Sequence, residues 1–296
     1  MFELYDIHGA IDTISEKTAV TVGVFDGVHR GHQQLIKQME GARLIVTLTS
    51  HPTFVLGRRE SENWLDDPEE HLRLLFEAGA KYVAVLPFTR EVAQLSACNV
   101  AQLLYDKLNM RRLLLGYDSR FGSKSHDDFD RLPQLASDLG FTLQRGTPFL
   151  VEGSPISSSR IRESLMSGAI EETAELLGRP YTLTGSVLHG RGVGHTLGFP
   201  TANISLEETR KMLPKEGVYT VRIGKNIGMA NLGTMPTFGI DKPTLEVHLI
   251  DFHGDLYGET VTVEFTHRLR DIVRFDTSED LQQQLQHDLE QTKQWS

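Results

Sequence analysis

Val20-Thr21-Val22-Gly23-Val24-Phe25-Asp26-Gly27-Val28-His29-Arg30-Gly31-His32 is the stretch from which the rest of the chain can be read. Its first half is an apolar, β-branched run of the kind buried on both faces of a parallel sheet. Glycines break the run, and Gln33-Gln34-Leu35-Ile36-Lys37-Gln38-Met39 resumes with helical spacing, placing Leu35, Ile36 and Met39 on one side. His29 and His32 therefore stand where a strand hands over to a helix. In open α/β sheets ligands bind at that end of the strands, and a helix N-terminus offers N–H groups and partial positive charge to phosphate. Gly31 leaves room for a ligand to approach the backbone. The stretch reads as a nucleotide-phosphate site. Two histidines three apart are also a zinc pattern, but only His51 and His8 could extend the ligand set, without a cysteine pair or a His-Glu-x-x-His run. A plain structural turn is the third reading.

From Val20 to about Arg145 strand and helix patterns alternate. Arg43–Leu48, Tyr82–Leu86 and Arg112–Leu115 read as further buried strands. Between them, Asp67-Pro68-Glu69-Glu70 carries an N-cap, a first-turn proline and a capping-box Glu for a helix running to Gly79, and Asn99–Leu108 is a third helix. This alternation predicts an α/β, doubly wound parallel sheet. Gly116-Tyr117-Asp118-Ser119-Arg120-Phe121-Gly122-Ser123-Lys124 follows the last of these strands, again at the ligand-binding end. It fits a loop closing over a nucleotide and an ordinary surface turn equally. In Pro155-Ile156-Ser157-Ser158-Ser159-Arg160-Ile161-Arg162 the serines can cap a helix and the arginines add charge beside it.

Past Gly178-Arg179-Pro180 the rhythm changes. Thr182–Leu188, Val218–Ile223, Ile227–Leu232, Thr244–Ile250 and Thr260–Phe265 are short runs punctuated by glycine or proline, which predicts an antiparallel barrel or sandwich. A terminal helix follows, with Ser278 as N-cap and Leu281, Leu285 and Leu289 at helical spacing. The reading gives two domains, 1–180 and 181–296, a division in keeping with 296 residues.

The bulk properties narrow the function. A net charge of −10 gives no general pull toward nucleic acid or anionic membrane. Cys98 is the only cysteine, so no internal disulfide forms, and a reducing compartment is expected. With no signal-peptide pattern and no apolar run of membrane-spanning length, the expected location is the cytoplasm.

In the second half, His189-Gly190-Arg191-Gly192-Val193-Gly194-His195 is rich enough in glycine to wrap a polyphosphate, with Gly192 and Gly194 supplying N–H groups, although it is not a Walker A loop. Thr201 and Asn203, two apart in an extended segment, point their oxygens to one side and suit Mg²⁺. Along Thr244–Ile250 the aliphatics Leu245, Val247 and Leu249 share one face and Glu246 lies on the other. A mid-strand Glu is commonly a solvated residue; facing the phosphate loop, it is a general base for an alcohol.

These residues resemble a known family. Gly23–His32 resembles the signature of the bacterial flavin adenylyltransferase module, a His-x-Gly-His nucleotidyltransferase, and Ser157–Arg162 its second motif. Phe199-Pro200-Thr201-Ala202-Asn203, Glu216–Tyr219, Asn231–Phe238 and Glu246-Val247-His248 resemble the riboflavin kinase module. Order and spacing are similar to those of the bifunctional bacterial riboflavin kinase/FAD synthetases over nearly the whole chain. The resemblance implies that riboflavin is phosphorylated by ATP to FMN, and that FMN is then adenylylated by a second ATP to FAD with release of pyrophosphate. It implies Glu246 as base of the first reaction, and His29, His32 and Arg160 as catalytic groups of the second. It further implies nucleotide or flavin contacts at Gly23, Phe25, Asp26, Gly31, Asp118, Ser157, Ser158, Ser159, Arg162 and Arg270. The implied partners are small molecules, with a transient homo-oligomer left open. The family usually has Asp-Pro-His-Pro where this chain has Thr49-Ser50-His51-Pro52, often an aromatic at Ser119, and Thr at Ser159. These departures bear on rate and flavin affinity at the adenylyltransferase site and leave a kinase-only protein as the alternative.

Overall fold

The structure, a computed structural model, describes residues 2–49, 63–119, 121–122, 129–189, 198–235 and 240–295. By its internal contacts the chain divides into two units, Met1–Ser158 and Ser159–Ser296.

The first unit begins with an antiparallel hairpin, β1 (Glu3–Asp6) and β2 (Gly9–Ile11). Five parallel strands follow, β3 (Thr18–Val22), β4 (Ala42–Leu48), β5 (Tyr82–Leu86), β6 (Met110–Leu115) and β7 (Thr142–Arg145). Between them run α1 (Arg30–Lys37), α2 (Pro68–Glu77), α3 (Ala97–Lys107) and α4 (Leu132–Leu139). Strand order across the sheet is β2-β1-β5-β4-β3-β6-β7. Alternation along the strands feeds two cores, as a doubly wound sheet requires. Ala19, Ile45, Val83 and Leu114 meet Ile36 of α1 and Leu75 of α2 on one face. Val20, Leu44, Val46, Leu113 and Leu115 meet Leu104 of α3 and Leu132 and Ala136 of α4 on the other. The sheet is therefore parallel as expected, except for the hairpin added beside β5.

The chain lays down β3, β4 and β5 in one direction, then returns to the other side of β3 for β6 and β7. The reversal between β3 and β6 opens a crevice at the carboxyl ends of those strands, where such sheets bind ligands. The turn after β3 carries His29, and the turn after β6 carries Asp118. A short hairpin, β8 (Leu150–Val151) and β9 (Ser154–Pro155), then leads to Ser157 and Ser158.

The second unit opens with α5 (Ser158–Ser167), whose first residue ends the first unit, and α6 (Ile170–Leu177). Both are held by later segments of that unit: Lys215 N–H donates to Leu165 O at 2.9 Å, and Arg268 N–H to Glu171 Oε1 at 3.3 Å. Gly178, with φ +76°, stops α6 in the left-handed region glycine tolerates. Six strands then close an antiparallel barrel: β10 (Tyr181–Leu188), β11 (Ala202–Ile204), β12 (Gly217–Ile223), β13 (Asn226–Met235), β14 (Ile240–Leu249) and β15 (Thr260–Arg270), in the order β10-β11-β14-β13-β12-β15. Of the two expected all-β architectures, the barrel is the one formed. Leu183, Tyr219, Val221, Leu245, Val247, Val263 and Phe265 are buried in it. Tyr219 and Phe265 meet edge to face at 5.2 Å.

The final helix is α7 (Ser278–Lys293). Its N-cap is Thr277, not Ser278: the extended backbone belongs to Thr277, whose hydroxyl accepts from Asp280 N–H at 3.1 Å, while Ser278 is already helical. Among the described residues no helix is long and apolar enough to cross a membrane.

Candidate active sites

The turn after β3 is strained. Phe25 has φ +55°, Gly27 +81° and Val28 +38°, the last unusual for a β-branched residue. Val28 N–H closes the turn on Phe25 O at 2.8 Å, and Gly23 N–H ties its start to Val46 O at 3.0 Å. A Cβ at Gly23 would lie 3.1 Å from the Phe25 ring, so glycine lets that ring fold back into the core. Asp26 is buried and its Oδ1 accepts from Leu65 N–H at 2.8 Å. In this arrangement Phe25 and Asp26 brace the turn.

The turn delivers His29 to the N-cap of α1, where its Nδ1 accepts from His32 N–H at 3.3 Å. Acceptance at Nδ1 leaves the proton of the neutral ring on Nε2, which can donate to phosphate. The His29 and His32 rings stack at 3.6 Å, and Phe25 meets His32 edge-on at 5.0 Å. Desolvation, and then the neighbouring His29 and His71, hold His32 well below the ordinary histidine pKa. His32 is thus neutral at pH 7, and its buried Nδ1 has no hydrogen-bond partner among the described residues. Gly31 was expected to make room for a ligand; a Cβ there would lie 3.1 Å from His29 Cε1 and Nδ1, so in this structure the glycine makes room for the His29 ring.

Ser158, the last residue of the first unit, donates its Oγ–H to Asp26 O at 3.0 Å. Asp118 sits exposed after β6, in a loop gathered by Arg145, whose Nη1 donates to Gly116 O at 3.1 Å and Tyr117 O at 2.9 Å. Ser157 and Ser159 are exposed and Arg162 is buried. The Arg160 guanidinium is engaged by Glu172 of α6, through Nε at 3.1 Å and Nη2 at 2.9 Å.

In the barrel, strand register makes the second site. Asn203 of β11 and Asn231 of β13 both stand opposite Glu246 of β14, forming a row of three across neighbouring strands. Directly opposed residues share a face, so Asn203, Glu246 and Asn231 lie outside while Leu245, Val247 and Leu249 fill the core. Glu246 is half-buried, and desolvation pushes its pKa up. Among the described residues no hydrogen bond reaches its carboxylate or the side chains of Thr201, Asn203 and Asn231. A carboxylate raised by burial and unpaired is in the state expected of a general base. His248 Nδ1 bonds Pro200 O at 2.8 Å and its ring meets Phe199 at 5.3 Å, fixing the segment that enters Thr201.

A family model for riboflavin kinase matches residues 177–296, and one for FAD synthetase matches residues 11–160. The bifunctional riboflavin kinase/FMN adenylyltransferase of Haemophilus influenzae is 33% identical, over 97% of this chain and 96% of its own length. The chain belongs to the bifunctional riboflavin kinase/FMN adenylyltransferase family. The Escherichia coli member is 35% identical over 95% of this chain and 94% of its own. A crystal structure described as a macrolide-efflux protein from Streptococcus pneumoniae is 31% identical, with a TM-score of 0.85, covering 96% of this chain and 97% of that one. That match adds the same two-part fold, and its description stays with that protein.

Arg270, expected at the flavin, has a structural partner of its own. Its guanidinium grips the fully buried Asp288 of α7, with Nε 3.0 Å from both carboxylate oxygens and Nη2 2.7 Å from Oδ2, while Phe275 lies 5.9 Å away. In this structure Arg270 anchors the final helix. Gly192 and Gly194, with Ser50, His51, Arg120, Lys124 and His195, lie outside the described residues. Two neighbours of these groups carried no separate signal in the sequence: Asn231, opposite Glu246 and seen there only as part of a motif, and His71, bonded to Thr47 and Asp66 and seen only as a helix residue.

Proposed function

We propose that this transferase, which carries riboflavin to FMN and FMN to FAD at the expense of ATP, divides the work by nucleophile. In the kinase reaction Glu246 takes the proton of riboflavin's ribityl 5′-hydroxyl as that oxygen attacks the γ-phosphorus. The bond to ADP breaks, and FMN and ADP leave. An alcohol is a poor nucleophile at pH 7, so a base is required. In the adenylyltransferase reaction an FMN phosphate oxygen attacks the α-phosphorus of ATP and pyrophosphate leaves. A phosphate monoester has a second pKa of about 6, so the nucleophile is already anionic and no base is needed. His29 Nε2–H and the α1 N-terminus supply donors, and His32, Ser157, Ser158, Ser159, Arg160 and Arg162 are assigned to the same reaction by motif.

Thr201 and Asn203 carry hard oxygen donors, with Asn203 opposite the Glu246 carboxylate, and this donor set fits Mg²⁺. Bound there, Mg²⁺ would neutralise charge on the ATP phosphates. We assign residues 1–180 to the adenylyltransferase and 181–296 to the kinase, a division supported by the two family matches. A cytoplasmic location follows the single cysteine and the ATP requirement. The observation that carries the reading is the register of Asn203 against Glu246, because it brings a cation donor beside a base. A product time course tests it: riboflavin, ATP and Mg²⁺ should give FMN first and FAD second. Chelating divalent ions with EDTA should stop FMN formation; undiminished FMN formation in EDTA refutes the metal assignment.

A further inference from the structure

A strained turn persists only where its surroundings over-determine it. Around Val24–Gly27 those surroundings are three buried or nearly buried side chains from elsewhere in the sheet domain. Asp66 Oδ2 accepts from Gly27 N–H at 3.1 Å and lies 3.0 Å from His71 Nδ1. His71 Nε2 lies 3.0 Å from Thr47 Oγ1, and Thr47 Oγ1 donates to Val24 O at 3.0 Å. Thr47 and Asp66 are buried, and the His71 side chain keeps 12% exposure. The chain of bonds runs from one end of the turn to the other. Leu65 N–H, next to Asp66, adds its bond to Asp26.

The protons of this chain can be counted. Thr47 has one hydroxyl hydrogen, and Val24 O can only accept, so that hydrogen points at the carbonyl. The hydroxyl then receives a hydrogen from His71 Nε2. Asp66 Oδ2 accepts from the Gly27 N–H, and as an ionised carboxylate oxygen it can only accept from His71 Nδ1 as well. Both ring nitrogens therefore carry hydrogen, and His71 is an imidazolium paired with a carboxylate.

We propose that His71 is a positioning residue for adenylyl transfer: through Asp66 and Thr47 it locks the Val24–Gly27 turn that delivers His29 and His32 to the nucleotide. The proposal rests on the assignment of the His29–His32 turn as the adenylyltransferase site. His71 has a second effect through space. Its charge is one of the causes that hold His32 neutral, together with burial and the facing His29. Loss of His71 thus both loosens the turn and makes His32 easier to protonate.

The test uses the full-length enzyme, with FAD formation from FMN and ATP as readout and FMN formation from riboflavin as control for folding. His71→Ala should lower kcat for FAD formation by roughly 10–100-fold, the scale of a misplacement near 1 Å, with little change in KM. The acid limb of its pH profile should move to higher pH, a shift that general destabilisation does not produce. FMN formation should stay at the wild-type rate. Thr47→Val should reproduce the kcat loss, Thr47→Ser should restore it, and Thr47→Val combined with His71→Ala should lose no more than His71→Ala alone. The proposal is overturned if His71→Ala, still making FMN normally, makes FAD at the wild-type rate with an unmoved acid limb. It is also overturned if both activities fall together in His71→Ala and Thr47→Val alike. If His29→Ala leaves FAD formation intact, the site assignment itself fails, and the proposal with it.

Discussion

Replacing Asp288 with alanine removes the ionic anchor of the barrel's closing helix. The Asp288 side chain is fully buried and accepts from Arg270 at 2.7–3.0 Å and from Gln284 Nε2 at 2.8 Å, whereas the Arg270 side chain keeps 19% exposure. Removing one member of a buried pair costs about 3–5 kcal/mol, because the other charge is left uncompensated. The exposed part of Arg270 can rehydrate, which brings the expected loss for Asp288→Ala down to about 2–3 kcal/mol. Arg270→Met is the harsher change, since it strands a carboxylate with no exposure, and should reach about 3–5 kcal/mol. The double variant Arg270→Met/Asp288→Leu removes both charges and should recover most of either loss, as apolar replacement of a buried pair is commonly neutral or stabilising. Trp295 is the natural probe. It follows α7 and stacks on His267 of β15 at 3.8 Å, so undocking changes its fluorescence. The chain has two tryptophans, and a Trp64→Phe background leaves Trp295 alone for urea unfolding. Single-variant losses that simply add in the double variant, within about 0.5 kcal/mol, would refute the pairing as the anchor.

Two further outcomes follow from the same geometry. Burial raises the Glu246 pKa, so ionising it works against folding: relative to glutamine, its penalty is absent below the ordinary Glu pKa of about 4.3 and grows as pH rises through the raised value. Glu246→Gln should therefore be more stable than wild type at pH 7 by thermal melting, with the gap closing in acid; a less stable variant contradicts the burial argument. Gly31→Ala presses a methyl against the His29 ring and should lower FAD formation by roughly 10-fold or more while FMN formation is unchanged; equal rates would show that the ring has room to move.

Much of the fold was legible because its central strands are continuous apolar runs. Thr18–Val22, Ala42–Leu48, Tyr82–Leu86 and the Leu113–Leu115 end of Met110–Leu115 are buried or half-buried on both faces, the pattern of central parallel strands. The edges were not legible. Glu3–Asp6 is short, half polar and only half-buried, and Thr142–Arg145 is short and largely exposed, so no periodicity marks them. β11 has three residues, too few to carry a pattern, yet it places Asn203 against Glu246. The Gly23–His32 motif was visible because glycines and histidines cluster within it. Its support was not: Thr47 looks like one more strand residue, His71 like one more helix residue, and only tertiary packing brings them to Val24. Arg270 adds a partner that motif order did not give, since a buried acid on α7 takes its guanidinium.

The central claim is that one chain makes its nucleophile at one site and receives it ready-made at the other. The most direct measurement is a crossed product assay on two variants, Glu246→Gln and His29→Ala, each given riboflavin plus ATP and, separately, FMN plus ATP. Glu246→Gln should lose FMN formation by about 10²–10⁴-fold, the usual worth of a general base, and still convert supplied FMN to FAD. His29→Ala should accumulate FMN and fail to make FAD from it. Normal FMN formation by Glu246→Gln, or loss of both reactions in either variant, would contradict the account.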